Sequence, residues 1–257
     1  MAPNFLQCGG TRRTERERHI AVIRAGNQVV LAGEPGAEPP PMTRARLQLR
    51  PIPVPRRYDS RVSESLARAF PARLAPSVTS VIRSLPAARF GPSRPVTASY
   101  LRAWAGLVVA GEPVVIPYRV YNPVPPLHMA SGLSRTERDV TAAIYSRHHD
   151  GHVRQRALRA LLDCDEPWTA PFVVQLLGEC VIQICADIEK FTQTELPARP
   201  AMHASLSAFL RRNPCFAELT RQRAISYWSC YHRAQHASRN TYPALAALSR
   251  LSGSSAA

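Results

Sequence analysis

From Ser134 onward the chain sets apolar residues in pairs or triplets at helical spacing. Before that point no such rhythm holds for more than a few residues. Ser134-Arg-Thr-Glu137 reads as a capping box opening a helix that runs to about Arg147. His148 to Gly151 predict a turn. Val153, Ala157, Leu158, Leu161 and Leu162 then share one face of a second helix. Asp150 is its expected N-cap, Gly151 eases the turn, and Pro167 sits where the first position of the next helix belongs. That next helix has the strongest pattern: Phe172/Val173, Leu176/Leu177, Cys180/Val181, Ile184/Cys185 and Ile188, with Gln175, Glu179, Gln183 and Asp187 on the polar face between them. After the break LPARP come a short helix in LSAFLRR, a restart at Asn213-Pro214 as N-cap and first position, and a long helix CFAELTRQRAISYWSCYHR. A last helix is capped by Thr241, and SGSSAA frays.

Upstream the signals are those of strands and short helices. HIAVIRAGNQVVLAG suggests a hairpin turning at AGN, while EPGAEPPPM cannot form regular structure, and Met42 at its end offers an alternative start to the reading frame. RVSESLARAFPARLAPSVTSVIRSL reads as one or two helices broken at Pro71 and Pro76. TASYLRAWAG reads as a short helix capped by Thr97, and the Val-rich LVVAGEPVVIPYRVY as a hairpin turning at Gly111-Glu112.

The expected architecture is mainly α: a helical bundle or short HEAT-like array in the C-terminal half, with a small α+β N-terminal segment containing a β-hairpin. Its divisions are a basic, Pro-rich, extended segment over 1–59, an α+β segment over 60–133 with its hairpin at 107–121, a helical domain over 134–251, and a tail over 252–257.

Charge adds a partner class. The net charge is +15, and of the 33 basic residues only Lys190 is lysine. So lopsided a choice is what the codons of a GC-rich genome produce, which lowers the weight of any single arginine. The distribution is more telling. Residues 1–133 carry 18 arginines against seven acids, residues 134–195 carry seven basic against ten acidic residues, and residues 196–257 carry eight arginines against Glu218 alone. The basic flanks suit an acidic or polyanionic partner, a protein first and nucleic acid as the alternative. The six cysteines (Cys8, Cys164, Cys180, Cys185, Cys215, Cys230) form no CxxC pair, and no apolar leader opens the chain. Reduced thiols and a cytoplasmic location are expected. Cys180 and Cys185 fall on the apolar stripe. That stripe is interrupted by polar residues too often to span a membrane.

Three groups carry candidate chemistry. His148, His149, Asp150 and His152 have the residue types of a zinc or iron site, the basis of an alternative reading as a metal-dependent hydrolase. The preferred reading makes them a corner between two helices, with Ser134, Glu137, Asp150, Gly151 and Arg154 as its capping and turn residues. Along 221–239, arginines interleave with aromatics, so Arg221, Arg223, Trp228, His232 and Arg233 are the candidate binding residues. Within it, Phe216, Leu219, Ala224, Tyr227 and Tyr231 are expected to face the core, while Arg221, Ile225, Trp228 and His232 form a second face, either an interface or a second contact with the bundle. The cysteines lack the basic partner a nucleophile needs. No serine elbow, phosphate-binding glycine loop or HExxH motif is present, so no catalytic residue and no cofactor is assigned.

DGHVRQRALRALL resembles the second helix of a HEAT-type repeat, through Asp150, Val153, Arg154, Ala157 and Leu161. The resemblance spans 134–163 and implies stacked helices whose turn Asp and Arg tie neighbouring repeats together. No period near 40 residues continues it, and the next helix is longer than that family's. The same turn, with PFVVQLLGE and ISYWSCY, resembles an uncharacterised bacterial protein family, which implies no activity. The function expected is a non-catalytic helical interaction module.

Overall fold

Capping chemistry decides where two of the helices begin. In the computed structural model, which describes residues 60–88, 91–92, 104, 106–125 and 131–253, Ser134 Oγ accepts from Glu137 N at 3.2 Å and Glu137 Oε2 accepts from Ser134 N at 2.8 Å. Helix α3 (Arg135–Tyr145) starts there. Asp150 Oδ1 accepts from His152 N at 2.8 Å and opens α4 (Gly151–Leu162). Each such cap is worth about 1 kcal/mol. Before them lie α1 (Ser60–Ala67) and α2 (Ala75–Ser84), separated at Pro71 by a 3-10 turn. Pro76 falls inside the first turn of α2 and breaks nothing. The 19–33 hairpin, the helix capped by Thr97 except for Trp104 and Gly106, the segment 1–59 and the last four residues lie outside the described residues.

The structure is mostly helical with one two-stranded antiparallel hairpin among the described residues. Strands β1 (Leu107–Val109) and β2 (Glu112–Val114) are joined by Ala110 and Gly111, at φ 51° and 88°. Two left-handed residues in succession make the primed turn whose twist suits a hairpin. The turn thus centres one residue earlier than the sequence suggests. Pairing stops at Val114, because Val115 N donates instead to Arg68 O. Val120 makes an isolated parallel bridge to His148.

The C-terminal elements are α5 (Ala170–Leu176), α6 (Ile182–Thr194), α7 (Pro200–Arg212), α8 (Pro214–Tyr227) and α9 (Pro243–Ser252). Helix α9 lies along α6, α3 along α4 and α2, and α7 against α5, α8 and α9. Between them one core includes Leu158, Leu161, Phe172, Ile184, Ile188, Phe191 and Leu251, all at most 1% exposed. Each such side chain contributes about 1.5–3 kcal/mol by leaving water. Phe70, Trp168 and Phe172 form an aromatic knot between the helices and the segment before α2. No helix of the described residues is long and apolar enough to cross a membrane.

Four local expectations fail, each for a physical reason. The long helix from Phe172 to Ile188 is broken. Leu177, Gly178 and Glu179 donate to carbonyls three residues back, and Val181 is extended. The break turns Glu179 inward, to 1% exposure, and Cys180 outward, so neither sits on the face the pattern gave it. Asn213 does not cap α8. Its Oδ1 accepts from Val108 N at 2.8 Å, and its Nδ2 donates to Val108 O at 3.0 Å and Phe209 O at 2.8 Å, closing the free edge of β1. Thr241 does not cap α9 either, its hydroxyl donating to Ser238 O. Finally, α8 runs into a π-turn, Trp228–His232. The wider turn shifts the helical phase, so Tyr231, expected on the core face with Phe216 and Ala224, is 70% exposed, while Trp228 is buried.

Candidate functional site

Two arginine groups stand out, one buried and one exposed. The buried group is built where three irregular segments meet: the strand-like run 117–120, the α3–α4 turn and the α5–α6 break. Glu179 lies at its centre. Arg119 donates to both Glu179 oxygens, at 2.9 and 2.6 Å, and Arg147 Nη2 donates to Oε1 at 3.1 Å. Arg154 Nη2 stands 3.8 Å from Oε2. Arg147 is wholly buried and also donates to the carbonyls of Pro117, Ser146 and Tyr118. Arg154 Nη1 donates to the carbonyls of His148 and His149.

Three guanidiniums thus share one carboxylate, and the electrostatics show the imbalance. Burial by itself would push the Glu179 carboxyl up. Arg147 and Arg119 outweigh it and hold that group down at about 2. Burial pushes the Arg147 guanidinium down to about 9, against the pull of Glu179 and with repulsion from Arg119 and Arg154 adding to the effect. It remains a cation at neutral pH, kept in place by the carbonyls of Pro117 and Tyr118 and by that of Ser146 at the C-terminal end of α3.

The four residues of the alternative metal reading flank this cluster but do not converge. His148 is buried, with Nε2 2.9 Å from Asn122 O and Nδ1 accepting from Asp150 N at 3.1 Å. Both ring nitrogens are therefore occupied in the neutral form. Burial and the neighbouring His149 lower its pKa, in keeping with that form. His149 is exposed and stacks on Tyr121, with ring centroids 5.3 Å apart. Asp150 is the helix cap and His152 points to solvent. Among the described residues no three His, Cys, Asp or Glu side chains gather as a metal site would need.

The exposed group lies around the π-turn. The guanidiniums of Arg233 and Arg239 stand 5.5 and 5.4 Å from the centroid of the Trp228 ring, whose Nε1 donates to His236 O at 2.8 Å. His232 is half-buried and stacks on Tyr242 with centroids 5.5 Å apart. Arg221 is paired with Glu218. Arg223 is buried, 5.7 Å from the Tyr118 ring and 6.0 Å from the Tyr227 ring. The five predicted binding residues therefore do not form one surface. Trp228, Arg233 and His232 belong to the π-turn, Arg221 to an exposed helix face, and Arg223 to the interior.

Sequence reasoning missed Arg119, Arg147 and Glu179, and it noted Arg239 within the basic aromatic stretch without choosing it as a binding residue. Glu179 carried one usable signal, the glycine before it in an otherwise unbroken apolar stripe. Arg119 lies in a segment without periodicity, where nothing local marks a partner. Compared with protein-family models, curated proteins and solved structures, the chain finds no match.

Proposed function

We propose that this chain is a non-catalytic helical interaction module that binds a polyanionic macromolecule through the π-turn and its neighbours. One observation carries the reading: two exposed guanidiniums, Arg233 and Arg239, are held over one buried indole with no acid within ion-pair distance among the described residues. Cation–π contact orients a guanidinium without neutralising it. From Leu219 to the end of the sequence there is no aspartate or glutamate, so the local field stays positive. The HEAT-like resemblance of 134–163 and the paired packing of α3 and α4 support a scaffold role, in the cytoplasm.

An acidic protein is the first partner. Tyr231 favours a second reading, nucleic acid. A ring 70% exposed within the same π-turn offers a stacking surface that an acidic peptide does not need.

Binding of labelled polyglutamate, single-stranded RNA and duplex DNA, measured by anisotropy over a salt series, tests both. The expected result is affinity that falls steeply with salt and drops at least tenfold in the double variant R233Q/R239Q. Preference for polyglutamate supports the first reading. Preference for single-stranded RNA that is lost in Y231A supports the second. Absence of binding to all three at low salt, or full binding by the double variant, refutes the proposal.

A further inference from the structure

Arg154 has a use that its contacts within the chain do not exhaust. It is 4% exposed. Its Nη1 serves the carbonyls of His148 and His149, at 2.8 and 2.9 Å. The opposite edge, formed by Nε and Nη2, is the one that grips an oxyanion with two parallel hydrogen bonds. On that edge Nε is buried with no hydrogen-bond partner, and Nη2 lies 3.8 Å from Glu179 Oε2, beyond hydrogen-bonding distance. Glu179 has already given its oxygens to Arg119 and Arg147.

A buried donor without an acceptor is destabilising, and more so when it is charged. Here the donor also belongs to a cluster in which three guanidiniums face one carboxylate, and no other acid lies within ion-pair distance of them among the described residues. A Cβ at Gly151 would stand 3.2 Å from Val181 Cγ2 and 3.7 Å from Arg154 Nη2, so glycine lets Val181 and the Arg154 fork pack close to the first turn of α4. Cys180, exposed at the α5–α6 break, and Arg119, whose side chain keeps 15% of its surface in contact with water, mark the solvent side of the cluster.

We propose that the Nε/Nη2 edge of Arg154 binds a small tetrahedral oxyanion, a phosphate or the phosphoryl group of a monoester, which supplies the negative charge the cluster lacks. The depressed Arg147 guanidinium fits the same shortage. This site is independent of the polyanion surface at the π-turn.

The test is an arginine Nε–H correlation spectrum of the full-length chain, titrated with inorganic phosphate at constant ionic strength against chloride. The Arg154 Nε–H resonance is expected to shift saturably, with a dissociation constant on the order of 1 mM, and chloride is expected to leave it in place. Thermal denaturation gives the second arm. Phosphate raises the melting temperature above the chloride control in the wild type and in R156Q, an exposed neighbour on the same helix. That excess vanishes in R154K, which keeps the charge but loses the fork. Glycerol 2-phosphate separates the sources: a shift with inorganic phosphate alone assigns the free ion, and a shift with both assigns a phosphoryl group on a larger ligand. An Arg154 resonance that does not move, or moves equally with chloride, overturns the proposal. So does a phosphate effect that survives in R154K. The resonance measurement uses the wild-type chain, so the outcome does not depend on the variant folding.

Discussion

Replacing Glu179 by glutamine removes one charge and almost no volume from the centre of the buried cluster. In the wild type the carboxylate takes three hydrogen bonds, two from Arg119 and one from Arg147, with Arg154 at ion-pair distance. Glutamine keeps one oxygen but turns an amide NH2 toward guanidinium donors. Three cations then share a 99%-buried site without an anion. Removing one partner from a buried ion pair costs about 3–5 kcal/mol. The carboxyl, held at about 2 against an ordinary 4.5, gives about 3 kcal/mol by linkage, the same range. Urea unfolding followed by circular dichroism at pH 7 is expected to show that loss at an unchanged slope, and the melting temperature to fall by roughly 10 °C. The pH dependence fixes the cause. A carboxyl whose pKa is lowered on folding stabilises above its unfolded value and loses that contribution as pH drops toward its folded value. The gap between wild type and E179Q should therefore be constant above pH 4.5 and narrow progressively below it. A loss under about 1 kcal/mol at pH 7, or two curves running parallel down from pH 4.5, would mean that the carbonyls of 117, 118, 146, 148 and 149 satisfy the arginines unaided.

Asn213→Ala removes both partners of Val108 in β1 and should cost about 2 kcal/mol. Its signature is faster hydrogen exchange at the Val108 amide than anywhere in α6 or α9; an unchanged Val108 rate contradicts the clasp. Gln175→Met should move stability the other way, by about 1 kcal/mol, because both amide atoms of Gln175 are buried without a hydrogen-bond partner. A denaturant midpoint that falls in Q175M argues against it.

What the pattern of the chain reveals depends on how local its cause is. The capping box at Ser134, the Asp150 cap and the buried face of α4 rest on contacts a few residues apart, and the sequence reads them correctly. So does the hairpin, apart from one residue in its turn and its early end, where a hydrogen bond to Arg68 replaces strand pairing. The failures come from distant partners. Glu179 is spaced like a surface residue among Gln175, Gln183 and Asp187. What moves it inside is Arg119, 60 positions earlier, and Arg147, 32 earlier. Asn213 carries the letters of an N-cap, yet Val108, 105 positions away, takes its side chain. Periodicity also assumes a constant turn. One π-turn at Trp228 shifts the phase and carries Tyr231 from the expected core face into water.

The arginines divide by what answers their charge, and one of them joins the two groups. Arg119 and Arg223 both lie near the ring of Tyr118, at 4.6 and 5.7 Å. Arg223 also lies 6.0 Å from Tyr227, the last residue before the π-turn. A continuous line of contacts therefore runs from Glu179 through Arg119, Tyr118, Arg223 and Tyr227 to the turn that carries Trp228. If packed contacts transmit strain, losing the Glu179 charge releases Arg119 and lets Tyr118 shift, which loosens the contact of Arg223 with the Tyr118 ring. The expected consequence in E179Q is weaker protection of the Trp228 indole Nε1–H, whose acceptor is His236 O. Truncating the exposed Arg233 removes a charge at the surface end of this line and should leave the Arg119–Glu179 pair unchanged. Hydrogen exchange of the Trp228 indole, read in both variants, decides the matter. Protection unaltered in E179Q would show that the buried cluster holds the α3–α4 corner alone and that the π-turn is stabilised from elsewhere.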